Sequence, residues 1–342
     1  MNDIIITNQD KELTLYHQPA ADEHPALVYL AGLADGSRRT MMGALGAIAE
    51  ILTGADLSNL PEAEQKKERV YLVSKTNWGA LRFQHTGLIR SQLLEKYSPA
   101  TANKMLSALR GTLKAAWRLG QMTAEDYHRA ADIQRVKGET IPAGRDLSPG
   151  ELGALIQVAI EDISPAGARD AAIISILYSC GLRRAELIGL DLSDYNPTSP
   201  TASALRVRGK GNKQRIAHVT GGARAALDEW LALRGDEDGP LFLQVRKGGH
   251  IWPIRLTTQA VFYILQERAR QAKMTKHISP HDFRRTFVGD LLDAGADIAT
   301  VQKMAGHADV STTAKYDRRG EETKRKAAEL LHVPYVKKPP KE

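Results

Sequence analysis

The apolar positions fall into two differently patterned stretches. From Ala26 to about Ile133, aliphatic and small residues recur at three- and four-residue spacing, the period of helices that bury one face. Gly43–Leu52 is one such segment. Ser98-Pro-Ala-Thr-Ala-Asn opens another, which runs through Met105, Leu106, Leu109, Leu113 and Trp117 to Gly120, where a left-handed C-terminal cap is expected. Beyond residue 146 the pattern is mixed. Helices are expected over Ser148–Ile160 and Ala166–Leu177, and alternating runs at Leu205–Val207 and Ile216–Val219 predict short strands. Pro240-Leu-Phe-Leu and a further set of helices follow. Between the two stretches, Arg135-Val-Lys-Gly-Glu-Thr-Ile-Pro-Ala-Gly-Arg sets two glycines and a proline among charges, the composition of a linker. The expected organisation is an N-terminal arm at 1–24 with a short strand at Asp3–Thr7, a helical domain at 25–134 and a linker at 135–146. A second domain at 147–332 and a basic, proline-containing tail at 333–342 complete it. The fold class is mainly α with a small antiparallel β-sheet in the second domain, α+β.

Composition narrows the field. A chain of 342 residues suits about two domains. Its 42% hydrophobic and 25% charged residues exclude a wholly disordered chain. The longest nearly apolar run, Ala171–Leu182, is shorter than the roughly 20 residues a membrane helix needs. No N-terminal segment has the make-up of a signal peptide, and the single cysteine, Cys180, excludes an intrachain disulfide or a Cys-rich zinc site. Cys180 itself is expected to be a small buried residue rather than a redox-sensitive thiol. An intracellular protein is expected. Lys plus Arg number 47 against 40 Asp plus Glu, a net charge of +7 that suits an anionic partner such as nucleic acid.

Three segments carry candidate chemistry: Cys180-Gly-Leu-Arg-Arg-Ala-Glu-Leu, Leu205-Arg-Val-Arg-Gly-Lys-Gly-Asn-Lys-Gln-Arg, and Pro280-His-Asp-Phe-Arg-Arg-Thr continuing to Gly306-His-Ala-Asp-Val-Ser-Thr-Thr-Ala-Lys-Tyr316. The second reads as a hairpin with a Gly-Lys-Gly-Asn turn. In the third, His281 and Arg284 share a helix face, and that helix runs through Phe287, Leu291 and Leu292 to a stop at Gly295. Asp297 can cap the next helix, which ends at Gly306, and Asp309 or Ser311 can cap a short helix carrying Tyr316. Each residue alone has an ordinary reading. Glu186 is a helical ion-pair partner of Arg183, His307 a cap, Tyr316 a half-buried aromatic, and the lysines of the hairpin a solvated edge.

The ordered set Gly-Leu-Arg-x-x-Glu-Leu, Gly-Lys-Gly, His-x-x-Arg, Gly-His and a tyrosine nine residues on resembles the tyrosine site-specific recombinases, the phage integrase family. The resemblance spans about 146–332, and Thr101-Ala-Asn-Lys-Met-Leu-Ser-Ala-Leu-Arg is similar to the family's core-binding domain. It implies a two-domain DNA clamp with the family's catalytic fold. It also implies catalytic roles for Arg183, Lys210, His281, Arg284, His307 and Tyr316, with Glu186 in support. Arg184, Arg285 and Lys213 flank the matching positions. Tyr316 would attack a phosphodiester to leave a 3′-phosphotyrosyl link and a free 5′-hydroxyl, which keeps the bond energy without a cofactor. A phenol of pKa about 10 needs a proton acceptor, for which His281 is placed. Arg183, Arg284 and His307 would hold the phosphate oxygens and Lys210 protonate the leaving oxygen, so neither metal nor cofactor is expected.

Lys104, Arg110 and Lys114 of the first domain, with Arg206, Arg208, Lys213 and Arg215 of the hairpin, are the expected contacts to double-stranded DNA. Ala327, Leu330 and Leu331 form an apolar patch on a C-terminal helix, and the resemblance implies exchange of that segment between protomers in a tetramer on two sites. Three other readings compete. His281-Asp282 and His307-x-Asp309 could be metal ligands of a phosphohydrolase, the fold could serve a non-cleaving DNA-binding regulator, and the same chemistry serves type IB topoisomerases.

Overall fold

The computed structural model describes residues 20–138, 144–199, 202–209 and 213–317, with positions 320, 325, 328, 329 and 334 beyond them. Most of the N-terminal arm, Lys210 and its turn, Ala327, Leu330 and Leu331, and the basic tail except position 334 lie outside the described residues. The chain divides into two compact units between Pro142 and Ala143.

Within the first unit every described element is helical. α1 (Pro25–Ala31), α2 (Asp35–Thr53), α3 (Glu62–Lys75), α4 (Phe83–Lys96), α5 (Pro99–Arg118) and α6 (Ala124–Ala131) surround one apolar core. α5 starts with Pro99 behind Ser98 and buries Ala102, Met105, Leu106, Leu109, Leu113 and Ala116, one face at helical spacing. Gly120 takes the left-handed backbone expected of it (φ 74°). Trp117 departs from the expected stripe: it lies at the solvent edge, stacked on Tyr127 of α6 with ring centroids 5.1 Å apart.

The second unit is built around α8 (Pro165–Cys180), which is buried from Arg169 to Leu177. α7 (Pro149–Ile160) opens with a capping box between Ser148 and Glu151. After the short α9 (Arg184–Ile188) come three antiparallel strands in sequential order, β1 (Tyr195–Ser199), β2 (Ala202–Arg208) and β3 (Gln214–Thr220). In β2, Leu205 and Val207 are buried and Arg206 and Arg208 exposed, the alternation of a half-buried strand. α10 (Gly221–Arg234), the two-stranded β4 (Leu243–Val245) and β5 (Ile251–Arg255), and α11 (Thr258–Gln271) follow. α12 (Pro280–Asp293), α13 (Ile298–Ala305) and α14 (Val310–Ala314) end the described fold. The architecture is mainly α with small antiparallel sheets, as the pattern predicts; β1 and the β4–β5 hairpin are additions to it.

Residues 145–147, read from the sequence as the end of the linker and the start of the second domain, are stitched to α12. The Arg145 amide donates to Asp282 (2.9 Å), the Leu147 amide to Thr286 Oγ1 (2.9 Å), and Arg285 pairs with Asp146 (3.1 Å). Among the described residues no helix is long and apolar enough to cross a membrane.

Candidate active site

Two glycine turns bring the motifs together. α8 ends at Gly181 in the left-handed conformation (φ 56°), which turns the chain so that Arg183 becomes the N-cap of α9. α13 begins at Asp297, whose carboxylate accepts the Thr300 amide (2.9 Å), and ends at Gly306, also left-handed (φ 67°), with His307 next in line. Arg284 sits on the inner side of α12, 2% exposed, and donates from Nη1 to the Gly181 carbonyl (2.7 Å). Arg183 donates from Nη2 to the Gly306 carbonyl (3.4 Å). Each turn thus offers its carbonyl to an arginine that comes from elsewhere in the chain.

Glu186 is the buried counter-ion of the cluster. It accepts from the Arg183 amide (3.0 Å) and from Arg183 Nη1 (2.7 Å), and its second partner is Arg215 Nη2 (2.8 Å). Burial raises its pKa, but the bonds from Arg215 and Arg183 outweigh burial and hold the carboxyl below its ordinary value. Arg215 also donates from Nε to the Met304 carbonyl (3.0 Å). That side chain was expected on the DNA-facing surface of the hairpin; it turns inward, only 13% exposed. Period two gives the signal: Arg215, Ala217 and Val219 share a face, and the other two are buried.

Tyr316 lies in the turn after α14, two residues beyond its end, and not on the short helix. Asp309 is the cap of that helix, accepting the Ser311 amide (2.8 Å). The Tyr316 hydroxyl is 3.3 Å from His281 Nε2, and its ring stacks on His307 with centroids 6.0 Å apart and planes at 22°. The Arg285 guanidinium lies 5.8 Å from the same ring. His307 is buried, with Nδ1 2.9 Å from Thr313 Oγ1.

The electrostatics are those of an anion cradle. Burial, then the Arg183 charge, lowers the Arg284 pKa to about 10, still protonated at neutral pH. Burial and then the Arg284 charge push His281 below its ordinary value, and the same two causes take His307 down to about 4. Both imidazoles are therefore neutral at pH 7. Arg284 Nη2 is buried with no hydrogen-bond partner among the described residues. A guanidinium N–H left bare beside a second guanidinium is costly unless an anion completes it.

Comparisons with known proteins give the family and the fold. Residues 145–322 match the model of the phage integrase family. The tyrosine recombinase XerC of Azotobacter vinelandii is 37% identical over 247 residues, covering 70% of this chain and 76% of that protein. The chain belongs to the phage integrase family. Tyrosine recombinase XerD of Mycobacterium tuberculosis is 34% identical over 232 residues, 64% of this chain and 70% of XerD. Two solved structures share the fold. XerH site-specific recombinase in a post-cleavage complex with palindromic difH has a TM-score of 0.60 at 18% identity, covering 91% of this chain and 97% of that one. A lambda integrase dimer on a COC′ core site has a TM-score of 0.61 at 14% identity, covering 87% and 94%. The chain is accordingly a tyrosine site-specific recombinase, a DNA strand transferase.

The remaining basic residues of this recombinase differ in placement. Lys104 and Lys114 are exposed on α5, whereas Arg110 is half-buried and donates to the carbonyls of Ala131 (3.4 Å) and Ile133. Arg206 and Arg208 project from one face of β2 and share Asp194 Oδ1, at 3.0 and 2.9 Å. Lys213 is exposed where the strands part, its carbonyl accepting the Gly209 amide (2.7 Å). The carboxylates of the metal reading are occupied elsewhere. Asp282 accepts from Ser279 N (2.7 Å), Ser279 Oγ (2.9 Å) and Arg145 N, and among the described residues no cluster of three His, Cys, Asp or Glu side chains is arranged to hold a metal ion.

Proposed function

We propose that the protein cuts and rejoins duplex DNA at specific sites by two successive transesterifications at Tyr316. The observation that carries this reading is the buried N–H of Arg284, without a partner among the described residues, beside Arg183 and within the cluster that holds Tyr316 against His281. Tyr316 Oη attacks phosphorus while its proton passes to His281 Nε2, and the bond to the DNA 5′-oxygen breaks. Arg183 and Arg284 donate to the non-bridging oxygens, where charge grows in the transition state, and His307 adds a further donor. Lys210 gives a proton to the departing 5′-oxygen. The reverse sequence, with a 5′-hydroxyl from the partner duplex, reseals the strand. No high-energy cofactor enters, because the phosphotyrosyl link keeps the energy of the broken bond.

Under this reading residues 25–134 form the core-DNA-binding domain and 147–332 the catalytic domain, joined by 135–146 in a clamp on the duplex. Lys104, Lys114, Arg206, Arg208 and Lys213 contact phosphates, and affinity falls steeply with salt. Four protomers on two sites, with the C-terminal segment exchanged between neighbours, make up the working assembly in the cytoplasm, on nucleoid or mobile-element DNA.

The test incubates wild type and Tyr316→Phe with sheared host DNA in chelator, denatures with SDS, and sequences any attached DNA. An adduct at a discrete sequence with the wild type alone is the expected result. Adducts scattered without sequence preference would favour the topoisomerase reading. Salt-sensitive binding with no adduct would favour the non-cleaving regulator, and an adduct that survived Tyr316→Phe would overturn the choice of nucleophile.

A further inference from the structure

Thr313 joins the two residues that face each other across the site. It is fully buried in α14. Its Oγ1 lies 2.9 Å from His307 Nδ1, and its carbonyl accepts the Tyr316 amide (3.0 Å). The direction of the first bond follows from counting protons. A threonine hydroxyl has one hydrogen to donate. If Nδ1 carried the imidazole proton, Nδ1 would donate to Oγ1 and the hydroxyl hydrogen would need another acceptor. Among the described residues Oγ1 has no second partner. A buried donor left bare is strongly disfavoured. The hydroxyl therefore donates to Nδ1, and the one proton of the neutral ring sits on Nε2.

We infer that Thr313 is the positioning residue that fixes His307 in its Nε2–H tautomer, so that this buried imidazole presents a donor to an anionic oxygen and stays in register with Tyr316. Either tautomer of a neutral imidazole offers one donor and one acceptor, and the wrong one would aim a lone pair at a phosphate. The low pKa of His307, about 4, is consistent with a ring that keeps its Nδ1 lone pair for the hydroxyl. The inference rests on the assignment of His307 as a phosphate donor, and the two are tested apart.

The tautomer is read directly from the ¹⁵N resonances of histidine-labelled full-length protein, with His307→Asn identifying the signal. The expected pattern has the proton on Nε2 in the wild type; a proton on Nδ1 overturns the inference whatever the activity. Cleavage of the site recovered above is then compared in two variants. Thr313→Val keeps the volume and loses the hydroxyl, and is expected to slow cleavage about tenfold or more with DNA binding unchanged. Thr313→Ser keeps the hydroxyl and restores most of the rate. A packing role predicts the opposite order, because serine loses a buried methyl that valine retains, and that order would sink the inference. In a His307→Ala background Thr313→Val should cost less than about twofold, since its route to the phosphate is gone. If His307→Ala cleaves like the wild type while the Nε2–H tautomer is present and lost only in Thr313→Val, the phosphate-donor assignment fails and the tautomer assignment stands.

Discussion

The two glycine turns that frame the site are packed to different tolerances. A Cβ on Gly181 would lie 2.3 Å from the Phe287 ring, and its carbonyl holds Arg284, which is almost wholly buried. A Cβ on Gly306 would come nearest the Arg215 side chain, at 3.1 Å, and its carbonyl holds Arg183 at 3.4 Å, with that arginine 44% exposed. One arginine is thus set into the core, and the other, held on one side by Glu186, stands partly in solvent. A desolvated, fixed donor acts strongly on developing charge, whereas a solvated one must be drawn in by the phosphate itself. The site pairs a buried half with a partly solvated half.

That contrast can be broken first at the glycines and the arginines. Gly181→Ala adds a left-handed penalty of about 1–2 kcal/mol to an overlap with an aromatic ring, for a loss of roughly 3 kcal/mol or more, read by denaturant unfolding. Arg284→Lys should lower the cleavage rate by about 10²–10³, because a lysine cannot reach the Gly181 carbonyl and the phosphate together. Arg183→Lys should cost roughly tenfold, and equal losses for the two arginines would erase the distinction.

Acid pH acts on the second turn. The His307 pKa is about 4 folded and near 6.5 unfolded, so below pH 6.5 the unfolded chain takes up a proton the native protein resists. Stability should fall by up to about 3 kcal/mol between pH 6.5 and 4 and level off below that, and His307→Asn should flatten this part of the curve. The smallest expected effect is Gly306→Ala, about 1–2 kcal/mol for its left-handed backbone, with the flexible Arg215 side chain shifting by a few tenths of an ångström. A loss as large as that of Gly181→Ala would show that both turns are rigid.

Much of this was legible in the sequence, because the signals are local. α5, α12 and α13 follow from a cap, a 3.6-residue period and a glycine or alanine stop, and α7 from its period and the Ser148–Glu151 capping box. The strands missed are those that break strand rules. β1 contains Pro197, β5 contains Pro253, and β4 is three residues long, so none shows an uninterrupted alternating run. At the site, the histidines, Tyr316 and their arginines were legible as motifs. Their supports were less so. Arg215 meets Glu186 and Met304 across 29 and 89 residues of chain, and only the strand's parity hints at its direction. Thr312 and Thr313 are indistinguishable by type, and the turn of α14 decides which hydroxyl faces His307.

Cys180 is the one cysteine in 342 residues, and it ends α8, three residues before Arg183. Burial lifts its thiol pKa to about 11, with Ser179 and the His218 carbonyl as its neighbours. Thiol reagents act on the accessible thiolate, so this sulfur stays silent in the folded protein. The native sequence is therefore already a blank background for attaching one reporter. A cysteine placed at Lys104 or Lys114 would take a dye or a spin label alone, and the buried natural cysteine need not be removed.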